Sequence, residues 1–166
     1  MLRVGTVGTS SIMRTIQEAI RLTDGMECRV VYSRTEEQGR AFAAEMGVPE
    51  HCTDYATMLE RSDLDLIDIA SPNRFHVEQA LAALEHGKHV IVEKPAAVTR
   101  GDVQRLIDAA RANSVYFFEA ITTLFMPQYE ACRLLLPKLG RIEQAHITYA
   151  QYSSRYDAYL RGENPN

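Results

Sequence analysis

The residues best suited to chemistry stand where short apolar runs give way to helical patterns. The first such turn, Gly5-Thr6-Val7-Gly8-Thr9-Ser10-Ser11-Ile12, joins a strand-like run to a helix. Free backbone N–H groups and the helix dipole at such a junction suit a pyrophosphate. Read from Gly8 as G-x-G-x-x-G, the second glycine is Ser10 and the third is Met13, so the turn is also compatible with a plain strand-to-helix connection. Ser10 is small and keeps a hydroxyl to donate, whereas Met13 implies looser contact between helix and sheet than a glycine gives.

About 25 residues after Gly8, where a dinucleotide site reads the adenosine ribose, the chain runs Tyr32-Ser33-Arg34-Thr35. An Asp or Glu there favours NAD. A hydroxyl followed by a guanidinium suits a ribose 2′-phosphate, so NADP is preferred and NAD is the alternative. The structural account of the same residues is a solvated Arg34, with Ser33 or Thr35 capping the next helix.

Two later turns complete the set. Ser71-Pro72-Asn73-Arg74-Phe75-His76 follows the run Leu66 to Ala70. Pro72 stops the strand, Asn73 can cap the next helix, and His76 falls one turn inside it. At the mouth of a sheet this turn borders the nicotinamide side; taken alone, Asn73 is a cap and His76 a structural histidine. The run His89 to Glu93 leads into Lys94-Pro95. A lysine at a cleft edge beside a carboxylate can hold a substrate hydroxyl and, if desolvated, share in its deprotonation as hydride leaves the same carbon. Without a cleft it is a surface lysine.

The elements that must position these residues alternate. Leu2 to Val7, Arg29 to Tyr32, Leu66 to Ala70, His89 to Glu93 and Val115 to Glu119 read as buried strands. Helical spacing separates them, as at Ile12, Ile16, Ala19 and Ile20, or Val103, Leu106, Ile107 and Ala110. Thr35 to Gln38 forms a capping-box pattern, and Gly47 and Gly87 follow helices. The result is a doubly wound α/β (Rossmann) domain over 1–120, with ligands at the carboxyl ends of the strands.

Residues 121–166 read as the linking helix and first strand of an incomplete α+β substrate or dimerisation domain. The helix starts near Pro127 and stops at Pro137 and Gly140. Alternation around Ala145, Ile147 and Tyr149 predicts a strand from Ile142 to about Tyr152. A lone strand leaves its backbone unpaired, so it is expected to pair with another chain.

The order and spacing of the N-terminal turn, Ser71-Pro72-Asn73 with His76, Glu93-Lys94-Pro95, and Glu119-Ala120 followed by Pro127 resemble the Gfo/Idh/MocA oxidoreductases, over essentially the whole chain. The resemblance implies NAD or NADP bound by the N-terminal domain, and hydride transfer at a hydroxyl or keto carbon of a sugar-, polyol- or dihydrodiol-like substrate. It implies that Lys94 is the catalytic lysine. Gly8, Thr9, Ser10, Ser11 and Ile12 match the pyrophosphate turn, Ser33 and Arg34 the adenosine end, and Ser71, Pro72, Asn73, His76, Glu93 and Lys94 the nicotinamide and ribose side. Family members are roughly twice as long and complete the site with an Asp and a His from the second domain. His146 does not match that histidine, so these residues alone are expected to bind cofactor without turnover. A non-catalytic NAD(P)-binding module, or a domain for another phosphate ligand, are the competing readings. The family's second domain also implies a homo-oligomer.

Bulk properties narrow the partners. Eighteen basic against 22 acidic residues give a net charge of −4 with no basic run, which argues against nucleic acid. Cys28, Cys52 and Cys132 lack zinc or C-x-x-C spacing and read as free thiols in a reducing compartment, with no metal site. No apolar stretch approaches a membrane span and no signal peptide pattern precedes Leu2, so a cytoplasmic location is expected.

Overall fold

A computed structural model describes residues 1–150, 153 and 156–163. The chain divides into two compact units, Met1–Ala120 and Ile121–Asn166. In the first, six parallel strands lie in the order β3-β2-β1-β4-β5-β6. They are β1 (Leu2–Val7), β2 (Met26–Tyr32), β3 (Glu50–Cys52), β4 (Leu66–Ile69), β5 (His89–Val92) and β6 (Phe117–Glu119). Helices α1 (Ser11–Leu22), α2 (Glu36–Met46), α3 (Tyr55–Leu59), α4 (His76–Glu85) and α5 (Arg100–Ala112) supply the crossovers. This is the doubly wound arrangement expected from the alternating runs. The short β3 was not among those runs, because Glu-His-Cys carries no apolar pattern and pairs by backbone alone, with Val30 opposite Glu50.

Period-two alternation assigns each strand two faces. Val7, Val30, Ile67, Ile69, Val90 and Val92 pack against Met58, Leu81, Leu84 and Leu106, which places α4 and α5 on that side. On the other face Met13 and Ile20 of α1 and Phe42 and Ala43 of α2 meet Val4, Val31, Leu66 and Ala70. Leu84 and Leu106 are fully buried, so truncating either to Ala costs about 2–5 kcal/mol.

The helix ends follow from local chemistry. Thr35 accepts a hydrogen bond from the Gln38 N–H and caps α2, as the capping-box pattern predicts. Gly47 ends α2 in the left-handed conformation. Asn73 is not the helix cap it was expected to be. It opens a 3-10 turn, Asn73–Phe75, that runs directly into α4, and no side chain caps that helix. Pro72, fixed in an extended conformation, tightens the entry so that His76 becomes the first α4 residue.

In the second unit α6 (Pro127–Leu135) starts at the proline and continues as a 3-10 turn to Leu139; a short α7 (Tyr156–Leu160) follows. The strand expected from Ile142 is not formed over 142–150, and positions 151 and 152 lie outside the described residues. Strand geometry requires a partner's ladder of hydrogen bonds, and no described segment supplies one to this stretch. Ile147 and Tyr149 on one face of the alternation and His146 and Thr148 on the other are all exposed, so neither face is covered. Among the described residues no helix is long and apolar enough to cross a membrane.

Candidate functional site

Strand order reverses at β1, which lies between β2 and β4. Crossovers leaving in opposite directions open a crevice at the carboxyl ends of these strands. A cleft of about 350 Å³ sits there, lined by the turn after β1 (Gly8, Thr9, Ser10), the end of β2 (Tyr32, Ser33, Arg34) and the turn after β4 (Ala70, Ser71, Pro72), among others.

Each turn is held by an extension of the sheet ladder. The Gly8 N–H donates to Tyr32 O at 3.0 Å, Ala70 N–H to Val7 O at 3.0 Å, and Glu93 N–H to Ile69 O at 2.8 Å. Gly8 has φ +116°, and a Cβ on it would lie 2.9 Å from the Ala70 carbonyl oxygen. Only glycine fits that close approach. Met13, at the third glycine position, is fully buried and packed with Val31, Phe42, Ala43, Val48 and Ala70.

The fit to a dinucleotide rests on this donor set. Ser10 precedes α1 and its hydroxyl caps nothing in the helix. The N–H groups of Ser11, Ile12 and Met13 begin the helix, where they have no intrahelical acceptor, and no acidic residue occupies the first turn. Arg34 is exposed, has no hydrogen-bond or ion-pair partner among the described residues, and is the only charged residue lining the cleft. Ser33 is buried; its N–H donates to Cys52 O and its hydroxyl accepts from the Thr35 N–H at 3.5 Å. Gly39 of α2 permits this, because a Cβ there would lie 3.2 Å from Ser33 Cβ.

His76 is nine-tenths buried and more, with Nδ1 2.8 Å from Pro95 O and Nε2 2.8 Å from Ser71 O. Both ring nitrogens are therefore engaged by backbone, and the ring offers the cleft no free polar atom. It ties the turn after β4 to the turn after β5. The sequence placed His76 among the cofactor contacts; in the structure its ring nitrogens face the carbonyls of Pro95 and Ser71.

Glu93 is half-buried beyond β5, and its carboxylate accepts from the Lys94 N–H at 3.2 Å. The Lys94 side chain is exposed and has no ion-pair partner among the described residues. The turn that carries them is anchored from β6, because Glu119 accepts from the Ala96 N–H at 2.9 Å. Glu93, Lys94, Asn73, Ser11 and Ile12 lie at the same carboxyl edge but are not among the residues lining the cleft. Among the described residues, no group of His, Cys, Asp and Glu could hold a metal ion, and the cysteines are free thiols.

Residues 2–120 match the Gfo/Idh/MocA family model, described as an oxidoreductase family with an NAD-binding Rossmann fold. The chain belongs to that family.

This Gfo/Idh/MocA chain is 40% identical over 166 residues to the uncharacterized oxidoreductase YgjR of Escherichia coli, covering 100% of itself and 51% of that protein. It is 36% identical over 162 residues to the scyllo-inositol 2-dehydrogenase (NADP(+)) IolU of Bacillus subtilis, covering 98% of itself and 49% of that protein. Among solved structures it is similar to KijD10, a 3-ketoreductase from Actinomadura kijaniata in complex with NADP and TDP-benzene. The TM-score is 0.77 at 29% identity, over 82% of this chain and 42% of that one. The chain thus spans about half the length of the curated relatives it matches.

Sequence reasoning missed several cleft residues of this Gfo/Idh/MocA domain. Phe75 and Gln79 line it from the start of α4, and Gln79 accepts from the Ser71 hydroxyl at 2.6 Å. Their spacing of four on one helix face, just after the Ser71 turn, is a signal that could have found them. Tyr55 donates to Gln79 O at 2.8 Å and meets Tyr32 edge to face at 5.4 Å, joining the β2 and α4 walls. Glu119, read only as a strand end and as part of the family resemblance, was not read as the anchor of the Ala96 N–H, and Asp68, the one charged residue within the apolar run of β4, was missed.

Proposed function

We propose that this chain is the cofactor-binding half of an NADP-preferring oxidoreductase that moves hydride at a hydroxyl or keto carbon of a sugar-, polyol- or dihydrodiol-like substrate, with Lys94 as its catalytic residue. The observation that carries the reading is the cleft at the β1 switch point: a glycine-only turn, a free helix N-terminus and an unpaired Arg34 at the end of β2. Two relatives agree with it by name, one as an NADP(+) dehydrogenase of scyllo-inositol and one as a ketoreductase in complex with NADP.

Bound nicotinamide would accept or donate the hydride. The chain's own residues do the rest. Gly8 to Ile12 would present backbone and hydroxyl donors to the pyrophosphate, and Arg34 would hold the 2′-phosphate. Ser71, Pro72 and Asn73 border the nicotinamide side, held in place by His76. Lys94 holds the substrate hydroxyl and exchanges its proton as the carbon changes oxidation state. Glu93 supplies the counter-charge and fixes the Lys94 backbone.

The family resemblance and the exposed Leu134, Leu135, Ile142 and Ile147 of the second unit support a homo-oligomer through that unit. The free thiols support a reducing, cytoplasmic setting.

Calorimetric titration with NADPH, NADH and ATP tests the cofactor claim: NADPH binds tightest, and indifference to both nicotinamides overturns it. In the whole protein, Lys94→Met is expected to keep NADPH affinity and lower turnover by about 10²-fold or more. Unchanged turnover overturns the Lys94 assignment, whereas a whole protein that binds NADPH and turns nothing over would favour a non-catalytic cofactor-binding module.

A further inference from the structure

The least accommodated polar group in the nucleotide-binding unit is Asp68. It lies in β4, opposite Thr6 of β1 and Ile91 of β5, and its side chain shares the α1 face of the sheet with Leu66 and Ala70. It is 6% exposed, and its Oδ1 is buried with no hydrogen-bond partner among the described residues. Nearby donors are committed elsewhere: Gln17 of α1 gives its amide to Thr6 Oγ1 at 2.8 Å and Cys28 Sγ at 3.2 Å.

One titratable group acts on Asp68 electrostatically: Glu93, two residues beyond its register partner Ile91 and on the same face. Asp68 in turn helps to raise the Cys28 thiol of β2, behind the larger effect of burial. The charged residues of α1 point outward, with Arg14 paired to Glu45 and Arg21 to Glu18. From β6 the row brings the uncharged Phe118 opposite Ile91, and His89 and Tyr116 meet at a tilt one row below, with ring centroids 5.4 Å apart. No cation answers Asp68 from these elements. A carboxylate in that place has lost its water without gaining a partner, and a second carboxylate sits above it.

We propose that Asp68 is a positioning residue for the Glu93-Lys94-Pro95 turn, a neutral acid whose ionisation sets a second negative charge beneath Glu93 and weakens cofactor binding. The binding consequence rests on the cofactor reading above; the coupling between Asp68 and Glu93 does not. As a neutral acid, Asp68 leaves Glu93 the sole negative charge on that patch, free to hold the Lys94 backbone. Once ionised, it repels Glu93 and adds negative potential below a cleft that receives phosphates. Burial, and secondarily Glu93, push the Asp68 carboxyl up to about 7, which puts the switch in the neutral range.

The test has two arms. In ¹³C-labelled protein without cofactor, the Asp68 carboxyl shift is expected to titrate near neutrality, and Glu93→Gln is expected to move that midpoint down. A midpoint in the ordinary aspartate range overturns the proposal, as does one that ignores Glu93→Gln. In the second arm NADPH affinity is measured by calorimetry at about pH 6 and about pH 8. Wild-type affinity is expected to fall about threefold or more between them, and Asp68→Asn to remove most of that fall. Asp68→Asn that keeps the wild-type pH dependence refutes the role; if that variant does not fold, Asp68→Leu serves the same comparison. Wild-type protein that ignores NADPH at both pH values refutes the cofactor reading, and the titration arm then decides the Asp68–Glu93 coupling alone.

Discussion

The Nδ1 of His76 lies 2.8 Å from the carbonyl oxygen of Pro95, nineteen residues further along the chain. Through this contact and its second one, to Ser71 O, one imidazole ties the turns after β4 and β5 together. A carbonyl can only accept, so at least one of the two carbonyls loses its N–H donor if the ring is replaced by a hydrocarbon. His76→Phe is therefore expected to destabilise the nucleotide-binding unit by about 1–3 kcal/mol, measured by urea unfolding, and to weaken NADPH binding. His76→Phe with wild-type stability would mean that water replaces the imidazole at both carbonyls.

Gly8→Ala tests the cradle. The added methyl meets the Ala70 carbonyl oxygen at 2.9 Å and sits on a backbone with φ +116°. The expected cost is about 1–3 kcal/mol of folding stability, with a loss of NADPH affinity that exceeds the stability effect, because the turn must move out of the cleft. Calorimetry of unfolding and of NADPH titration on the same variant separates the two.

Arg34→Ala addresses cofactor choice. Charge-assisted bonds from an unpaired guanidinium to a 2′-phosphate contribute about 1.5–3 kcal/mol, or roughly 10- to 100-fold in NADPH affinity. NADH has no such phosphate, so its affinity should stay within a factor of about two. Equal losses for both cofactors would assign Arg34 to the adenine or the diphosphate instead.

Stability against pH should show two opposite contributions. Asp65 is held well below the usual carboxylate range by the Arg3 guanidinium, at 2.9 Å from Nε and 2.6 Å from Nη2, so it stabilises above its unfolded value of 3.8. That contribution is lost as pH falls through its lowered folded value. Asp68 is raised from 3.8 to about 7, so its contribution is fully present below 3.8 and is lost as pH rises through neutrality. Asp65→Asn should flatten the acid limb of a stability profile and Asp68→Asn the neutral limb. The Asp68 effect spans a few kcal/mol in order of magnitude. A neutral limb unchanged in Asp68→Asn would show that its carboxyl is hydrated in solution.

Much of the fold was legible in the residues. The runs at Leu2, Leu66 and His89 became strands within a residue of their expected ends, and Thr35 caps α2 through the predicted bond. The strand at Arg29 begins three residues earlier, at Met26, because pairing with β1 carries it through polar Glu27. The cleft was legible in part. Gly8, Ser10, Arg34 and Ser71 announce themselves as turn residues after apolar runs, whereas Phe75, Gln79 and Tyr55 join the site only once α4 packs beside β2's end.

The sequence by itself determined the alternation of strand and helix and the turns at strand ends, because hydrophobic periodicity and capping act over a few neighbouring residues. Tertiary structure decided what those residues face. It buried His76 between two carbonyls and left Asp68 Oδ1 without a donor among the described residues, and it formed no ladder over residues 142–150. Each outcome depends on groups far away in the chain, or on a partner strand, since hydrogen bonding and desolvation are properties of the surroundings and not of a residue's own type.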